Sequence, residues 1–408
     1  MRIVFIGPYA LYPKSAVRVR ILPLAKELKK KNHEVTILLP PADNPHHSGT
    51  YLKTENIDVH NVLIPKTRLP IKYLHVVGML MKKTLELRPD IVHIFKPIGY
   101  SGLSGIFLGI SKFFRLTKSS LVVDLDDWEG YGGYADYKLA YGLHSKVVVD
   151  LLDLQEKLLV RQADAVTVVS KALQSKVCEL RGAYDSDHIF YVPNGPAELT
   201  ATAGSKAPHE IRNSLGIEDK PVVLLWTRFL DYDLEEVIEI LARVVSEMKN
   251  VRLLVMGKGF FHEEVKFLEL AKEKGLIGNV IYLGWVKSQD IRGYIEASDL
   301  AIYPFKDNFM NRCRCPCKLA QLMSLGKAVV ADKVGQISEY IEHERSGILV
   351  EPDDAEKFAK WVVDLLRDKK LRERLGENAK RRIYDSFGWE QLANTVELSY
   401  KLLLQRKG

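Results

Sequence analysis

Cysteine is scarce in this chain. Only four are present among 408 residues, and Cys313, Cys315 and Cys317 crowd into one short stretch. That is no disulfide framework, so a reducing cytosol is the expected compartment. Long apolar runs are also missing; none reaches the roughly 18 residues that a membrane span needs. The opening Met1-Arg2-Ile3-Val4-Phe5-Ile6-Gly7 carries one charge before a short apolar run. It reads as a first strand rather than a signal peptide. No short-period repeat is visible. Neither sign of charge dominates: 59 Lys and Arg face 52 Asp and Glu, a net +7. Such a mild excess suits an anionic small ligand, or loose attraction to an acidic membrane surface. No recognition motif supports nucleic acid as a partner. The remaining composition, 47% hydrophobic and 27% charged, is that of an ordinary globular chain. Its length calls for two or three domains.

Strand and helix signals alternate throughout, which predicts parallel sheets with crossover helices. In the first half, strands are expected at 2–6, 34–39, 58–64, 90–94, 121–125, 165–169 and 189–192. Helices are expected at 16–31, 71–87, 101–114, 146–162 and 173–180. Pro193-Asn194-Gly195-Pro196 then breaks the pattern, and residues 196–209 read as a linker. The second half repeats the alternation, with strands at 222–226, 251–256, 280–283, 300–303 and 328–331. Charged helices follow at 355–367 and 370–384, and a last helix at 389–405.

The most informative stretch runs from Asn311 to Gly347. A basic, cysteine-bearing loop leads into a short helix at 318–325, which stops at Gly326. A buried strand and a second glycine loop follow. Loops just outside the carboxyl ends of parallel strands are where ligands bind in such sheets. A helix start rich in Lys and Arg suits a diphosphate there.

Several segments resemble the group-one glycosyltransferase family. They are Asn32-His33-Glu34-Val35, Pro89-Asp90-Ile91-Val92-His93, Ala163-Asp164-Ala165-Val166 with Ser170, and Val192-Pro193-Asn194-Gly195. In the second half they are Gly257-Lys258-Gly259, Ala297-Ser298-Asp299 through Pro304, Gly326 through Ala331, and Gly347-Ile348-Leu349-Val350. Each is weak alone; together they follow the family's order over nearly the whole chain. The resemblance implies the α/β GT-B fold, with two doubly wound Rossmann-like domains facing across a cleft. These would be residues 1–195 on the acceptor side and 210–388 on the nucleotide-sugar side. The helix at 389–408 would cross back onto the first domain. It implies transfer of a sugar from a nucleotide donor, usually with retention and without a metal or other cofactor. The acceptor would be a glycan or a lipid-linked group.

Site residues follow from this frame. The family's arginine falls on Arg228, whose guanidinium can grip phosphate oxygens at two points. Asp233 stands where a lysine usually follows, and Lys318 is the expected replacement. Arg312 and Arg314 are either further cations or solvated loop charges. Gly257 and Leu319 complete the donor side. In the first domain the usual Gly-Gly loop is replaced by Tyr12-Pro13-Lys14-Ser15-Ala16. Ser15 is either a donor contact or a helix cap, and Arg18 is a further cation. Two signature glutamates are replaced by Cys313 and Gln321. Gln321 can still bond a ribose hydroxyl. Arg314-Cys315-Pro316-Cys317-Lys318-Leu319 resembles a Lys-Cys-Pro variant of this element.

Asp124-Leu125-Asp126-Asp127-Trp128-Glu129 gathers carboxylates at one strand end. Asp126 falls where the family often has a donor-contacting His, and Asp127 or Glu129 can take the acceptor proton. Capping and solvated loop charges are the plain alternative. The alternating cysteines lack the spacing of zinc knuckles. Residues 66–83, including Lys72, Leu74, Lys82 and Lys83, suit either a core-facing helix or peripheral docking on a membrane. The sequence thus reads as a diverged retaining glycosyltransferase. A nucleotide-sugar-binding protein without activity, or a sugar-nucleotide epimerase or hydrolase, are the alternatives.

Overall fold

A computed structural model describes residues 1–12, 16–68, 70–197, 199, 205–230 and 232–406. The chain divides into two compact units. Unit 1 is Met1–Asn194 with Cys313–Cys315 and Gly388–Gly408; unit 2 is Gly195–Arg312 with Pro316–Phe387.

Among the described residues, unit 1 holds an eight-stranded sheet. Its strands are β1 (Arg2–Ile6), β2 (Glu34–Leu39), β3 (Tyr51–Thr54), β4 (Ile57–Asn61), β5 (Ile91–Phe95), β6 (Ser120–Leu125), β7 (Ala165–Val168) and β8 (Ile189–Tyr191). Their order is β3-β4-β2-β1-β5-β6-β7-β8, parallel except for the β3–β4 hairpin. β5 and β6 are buried along their whole length. Strands covered by helices on both faces have that apolar character.

The last helix, Trp389–Gln405, belongs to unit 1. It sends Leu392, Ala393, Val396, Tyr400 and Leu403 into the unit 1 core. Tyr400 Oη lies 2.7 Å from His93 Nδ1 on β5. The return of this helix to the first domain therefore occurs as expected.

Unit 2 holds a six-stranded, all-parallel sheet among the described residues. Its strands are β9 (Val222–Trp226), β10 (Arg252–Met256), β11 (Val280–Gly284), β12 (Leu300–Tyr303), β13 (Val329–Asp332) and β14 (Ile348–Val350). The order β11-β10-β9-β12-β13-β14 reverses direction beside β9. That makes the carboxyl ends of β9 and its neighbours the natural ligand position.

Three local differences from the sequence reading have physical causes. The helix expected at 16–31 is a widened π turn, Val17–Ile21, joined to an α-helix, Leu22–Lys30. Pro23 lacks an N–H and disrupts regular α bonding there. The hairpin strand β3 was not anticipated, because its four residues, Tyr51, Leu52, Lys53 and Thr54, make too short and too exposed a pattern. Its turn uses Glu55 and Asn56 at φ 50° and 66°, the left-handed pair of a tight hairpin. The expected linker 196–209 is shortened by a helix, Pro208–Leu215, which carries proline in its first turn where an N–H is dispensable.

Candidate active site

The unit 2 site is built from three neighbouring strand ends. After β9 the chain turns through Thr227, Arg228 and Phe229. The Thr227 hydroxyl accepts the Phe229 N–H at 2.6 Å, and Phe229 sits at φ 64°. Gly257, at the end of β10, makes this turn possible. Its φ is 131°, and a Cβ there would overlap the Thr227 carbonyl oxygen. The Gly257 N–H donates to the Gly284 carbonyl at 2.8 Å, tying in the end of β11.

Each strand end then supplies one side chain. The Arg228 guanidinium lies 4.3 Å from the Phe260 ring and 5.0 Å from the Trp285 ring. Its Nε is buried without a hydrogen-bond partner. Phe260 and Trp285 are themselves exposed, Trp285 at 68%. Aromatic faces hold a guanidinium in place by cation–π attraction while leaving its N–H groups unspent.

Lys318 opens the helix Cys317–Ser324, and its Nζ lies 5.7 Å from the Trp226 ring at the end of β9. Gln321 is one turn further on and half-buried. Residues three apart share a helix face, so Lys318 and Gln321 form one polar edge. Two expected donor contacts are engaged within the fold itself. Leu319 is fully buried, and its N–H donates to the Pro316 carbonyl at 3.1 Å; it is scaffold. Arg312 is spent in a two-point pair with Asp307 at 2.5 and 2.6 Å. Asp233 caps the helix Leu234–Glu247 by accepting the Glu235 and Glu236 N–H groups.

The unit 1 site lies at the ends of β5 and β6. Lys96 follows β5 in a left-handed conformation, φ 63°. Its Nζ is 3.7 Å from Asp126, 3.6 Å from Asp127 and 2.6 Å from Glu129. Lys138 holds the other Glu129 oxygen at 2.5 Å. Arg314 Nε is 3.7 Å from Asp127. The acids divide by environment. Burial pushes the Asp127 carboxyl up to about 6, against the pull of Lys96 and Arg314. Burial also raises Asp126, whose Oδ1 has no hydrogen-bond partner. Glu129 is buried too, but Lys96 and Lys138 overcome burial and bring it down to about 2. Glu129 is therefore a fixed anion, and Asp127 is the acid able to exchange a proton near neutrality.

A second network supports this one. Arg20 grips Asp124 through Nε at 2.7 Å and Nη2 at 2.5 Å. It also donates to the Val192 carbonyl and to Asn194 Oδ1. The Asn194 N–H in turn donates to Cys315 Sγ at 3.1 Å. Cys313 is buried, its carbonyl accepts from Ser170 at 2.8 Å, and burial pushes its thiol up to about 12. The three thiols do different things; Cys317 begins a helix of unit 2. Arg18 stacks over Tyr12 at 4.7 Å within unit 1. Ser15 lies outside the described residues.

Sequence reasoning missed Phe260, Trp285 and Lys96. A signal existed for each. Each aromatic directly follows a glycine, Gly259 in the loop after β10 and Gly284 at the end of β11, and Lys96 sits between a buried strand and Pro97.

The chain matches the family model described as glycosyl transferases group 1 over residues 208–382. It matches the glycosyl transferase 4-like domain over residues 15–195. It belongs to the group-1 glycosyltransferases and has their GT-B fold. Among its relatives is an uncharacterised glycosyltransferase of Methanocaldococcus jannaschii, 25% identical over 94% of each chain. Another is N-acetyl-alpha-D-glucosaminyl L-malate synthase of Bacillus anthracis, 26% identical over 59% of this chain and 60% of that one. In fold it is similar to HepE of Anabaena in complex with UDP, with TM-score 0.70, 18% identity and coverage of 98% and 100%. It is also similar to the catalytic domain of starch synthase IV from Arabidopsis thaliana bound to ADP and acarbose. That match has TM-score 0.72, 16% identity and 99% coverage of both chains. Among the described residues no helix is long and apolar enough to cross a membrane.

Proposed function

We propose that this protein transfers a glycosyl group from a nucleoside-diphosphate sugar to a hydroxyl of a glycan or lipid-linked acceptor, with retention of configuration and without a metal. The observation that carries this reading is Arg228, held between Phe260 and Trp285 at the carboxyl end of β9. In the reaction the bond between the anomeric carbon and the diphosphate oxygen breaks, and the electron pair leaves on the diphosphate. Arg228 and Lys318 stabilise that added charge from preorganised positions. Gln321 bonds the ribose. The acceptor oxygen bonds the anomeric carbon, and its proton passes to Asp127. Asp126 orients the sugar. The relatives in complex with UDP or ADP support a diphosphate ligand of this kind.

A specific observation favours a second reading. Cys313 and Gln321 occupy the places of two signature glutamates, and the Cys313 thiol is buried and neutral. Without that carboxylate the protein would bind the nucleotide sugar and only release or hydrolyse it. One experiment tests both. Release of nucleoside diphosphate is followed for UDP-, GDP- and ADP-sugars, with and without acceptor alcohols and with chelator added. Acceptor-dependent release that survives chelation and falls about 100-fold in Arg228→Ala is expected. Equal release without acceptor would support the hydrolase reading. If no sugar nucleotide raises the melting temperature, the assignment is wrong.

A further inference from the structure

A chain of hydrogen bonds inside unit 1 begins on the last helix, Trp389–Gln405, and ends beside the acids of the candidate site. The Tyr400 hydroxyl lies 2.7 Å from His93 Nδ1 on β5. His93 Nε2 lies 3.2 Å from Thr167 Oγ1 on β7. Thr167 Oγ1 lies 2.5 Å from Asp124 Oδ2 on β6. Arg20 holds both Asp124 oxygens, Oδ1 at 2.7 Å and Oδ2 at 2.5 Å. All five side chains are buried.

Each proton in this chain has one place to be. A carboxylate gripped by a guanidinium through both oxygens only accepts. The Thr167 hydroxyl therefore donates to Asp124, which spends its single hydrogen. Its oxygen is left to accept, so His93 Nε2 carries the imidazole N–H. Burial and the nearby Arg20 hold His93 neutral, well below the usual histidine range. Its Nδ1 thus keeps a lone pair and accepts from the Tyr400 hydroxyl. The ring is held as well, stacked on Phe95 at 4.4 Å and set nearly perpendicular to Phe5 at 5.5 Å. A buried polar network with its bonds satisfied fixes one arrangement of the groups around it.

Asp124 is where this chain meets the site. Its main-chain carbonyl accepts the Lys96 N–H at 3.1 Å. Asp126 and Asp127 follow two and three residues later, with Lys96 Nζ 3.7 and 3.6 Å from them. One residue therefore anchors both the backbone of the lysine and the start of the acid loop. Any shift of Asp124 alters the lysine–acid separations, and attraction between charges depends directly on those. We propose that Thr167, His93 and Tyr400 are positioning residues that act through Asp124 to hold Lys96 and Asp127 at their working separation. Their effect on turnover rests on the transfer reading given above. Their effect on Asp127 does not, because its carboxyl titrates whether or not a sugar is transferred.

The test is NMR of the full chain carrying 13C at aspartate carboxyls and 15N in histidine rings. His93 is expected as the Nε2–H tautomer. Asp127, assigned through Asp127→Asn, is expected to titrate at about 6. Thr167→Val keeps the shape but not the hydroxyl, and should move that midpoint by about half a pH unit or more. Thr167→Ser, which keeps the hydroxyl, should restore it. Tyr400→Phe, at the far end of the chain, should move it by less. In transfer assays the acidic limb of the pH–rate profile should follow the same pattern. There kcat should fall about tenfold in Thr167→Val with the donor KM unchanged. A role confined to stability would lower the melting temperatures of Thr167→Val and Tyr400→Phe and leave the midpoint where it was, which overturns the proposal. So does a His93 that carries its proton on Nδ1. A midpoint that moves in a chain showing no transfer would sink the transfer reading and uphold the positioning role.

Discussion

Asp127 and Asp332 are two buried acids with different consequences. Asp127 has Lys96 and Arg314 within 3.7 Å, yet burial lifts it to about 6. As a proton acceptor it works only when ionised, so turnover should rise with pH through about 6 and then level off. Asp127→Asn should lower kcat by about 100-fold or more and remove that limb of the profile. A pH–rate series on both proteins checks this; an unchanged profile would assign the limb to another group. Asp332, at the end of β13, is lifted to about 9 by burial, with Glu236 and Asp353 adding to the effect. Below about pH 4 both folded and unfolded chains keep this carboxyl protonated, and it costs nothing. As pH rises towards 9 the unfolded chain ionises while the folded one does not, so stability falls. Asp332→Asn should therefore stabilise the protein by roughly 1–3 kcal/mol at pH 8 and very little at pH 4. Denaturant melts at the two pH values decide it. Neither pKa was legible in the sequence. Asp126 and Asp127 could be singled out because acids cluster at a strand end, but which of three would stay ionised depends on Lys96 and Lys138, which arrive from other elements.

At the scale of elements, the sequence carried most of the fold. The helices Ile71–Leu87, Lys146–Gln162, Ala355–Arg367 and Trp389–Gln405 and the strands β1, β2, β9 and β12 lie where periodicity placed them, because each has an apolar pattern decided locally. β3 and the helix Tyr134–Ala140 were missed, since their place is set by pairing and packing and not by their own pattern. Turn chemistry explains two more predictions. Asp233, where the family places a lysine, accepts two helix N–H groups. Asp233→Ala should cost about 1 kcal/mol, the usual worth of an N-cap. A chemical melt would show it, and binding of nucleotide sugar should weaken far less than in Arg228→Ala. Gly257 serves the site through the backbone. Any Cβ there meets the Thr227 carbonyl, and φ is 131°, which side-chain-bearing residues rarely adopt. Gly257→Ala should destabilise the protein by about 2 kcal/mol or more and displace Arg228. A drop in melting temperature together with lost nucleotide-sugar binding is the expected pair of results.

For the whole molecule, sequence order and spatial membership part company in two places. The break at Pro193-Asn194-Gly195 announced the boundary between units, which falls between Asn194 and Gly195. The assignment of Cys313–Cys315 to unit 1 could not be read from sequence, because it depends on Asn194 and Ser170, more than a hundred positions earlier. The closing helix is the second case, and it carries a prediction. Five of its side chains enter the unit 1 core; the four larger ones, Leu392, Val396, Tyr400 and Leu403, are worth about 1.5–3 kcal/mol each when fully buried. Together they rival the 5–15 kcal/mol that typically separates a folded domain from its unfolded chain. A chain ending at Phe387 should therefore lose unit 1 while unit 2, whose residues it retains, stays folded. Limited proteolysis should cut the truncated chain rapidly within residues 1–194 and spare 208–387. A milder change separates loss of the helix from loss of one contact. Tyr400→Phe keeps the ring in the core but leaves His93 Nδ1, 2.7 Å from the hydroxyl, without that partner. It should cost about 1–2 kcal/mol and leave the proteolytic pattern unchanged. Should the truncated chain resist proteolysis in residues 1–194 as well as the full chain does, the helix is a lining of unit 1 and not a part of its core.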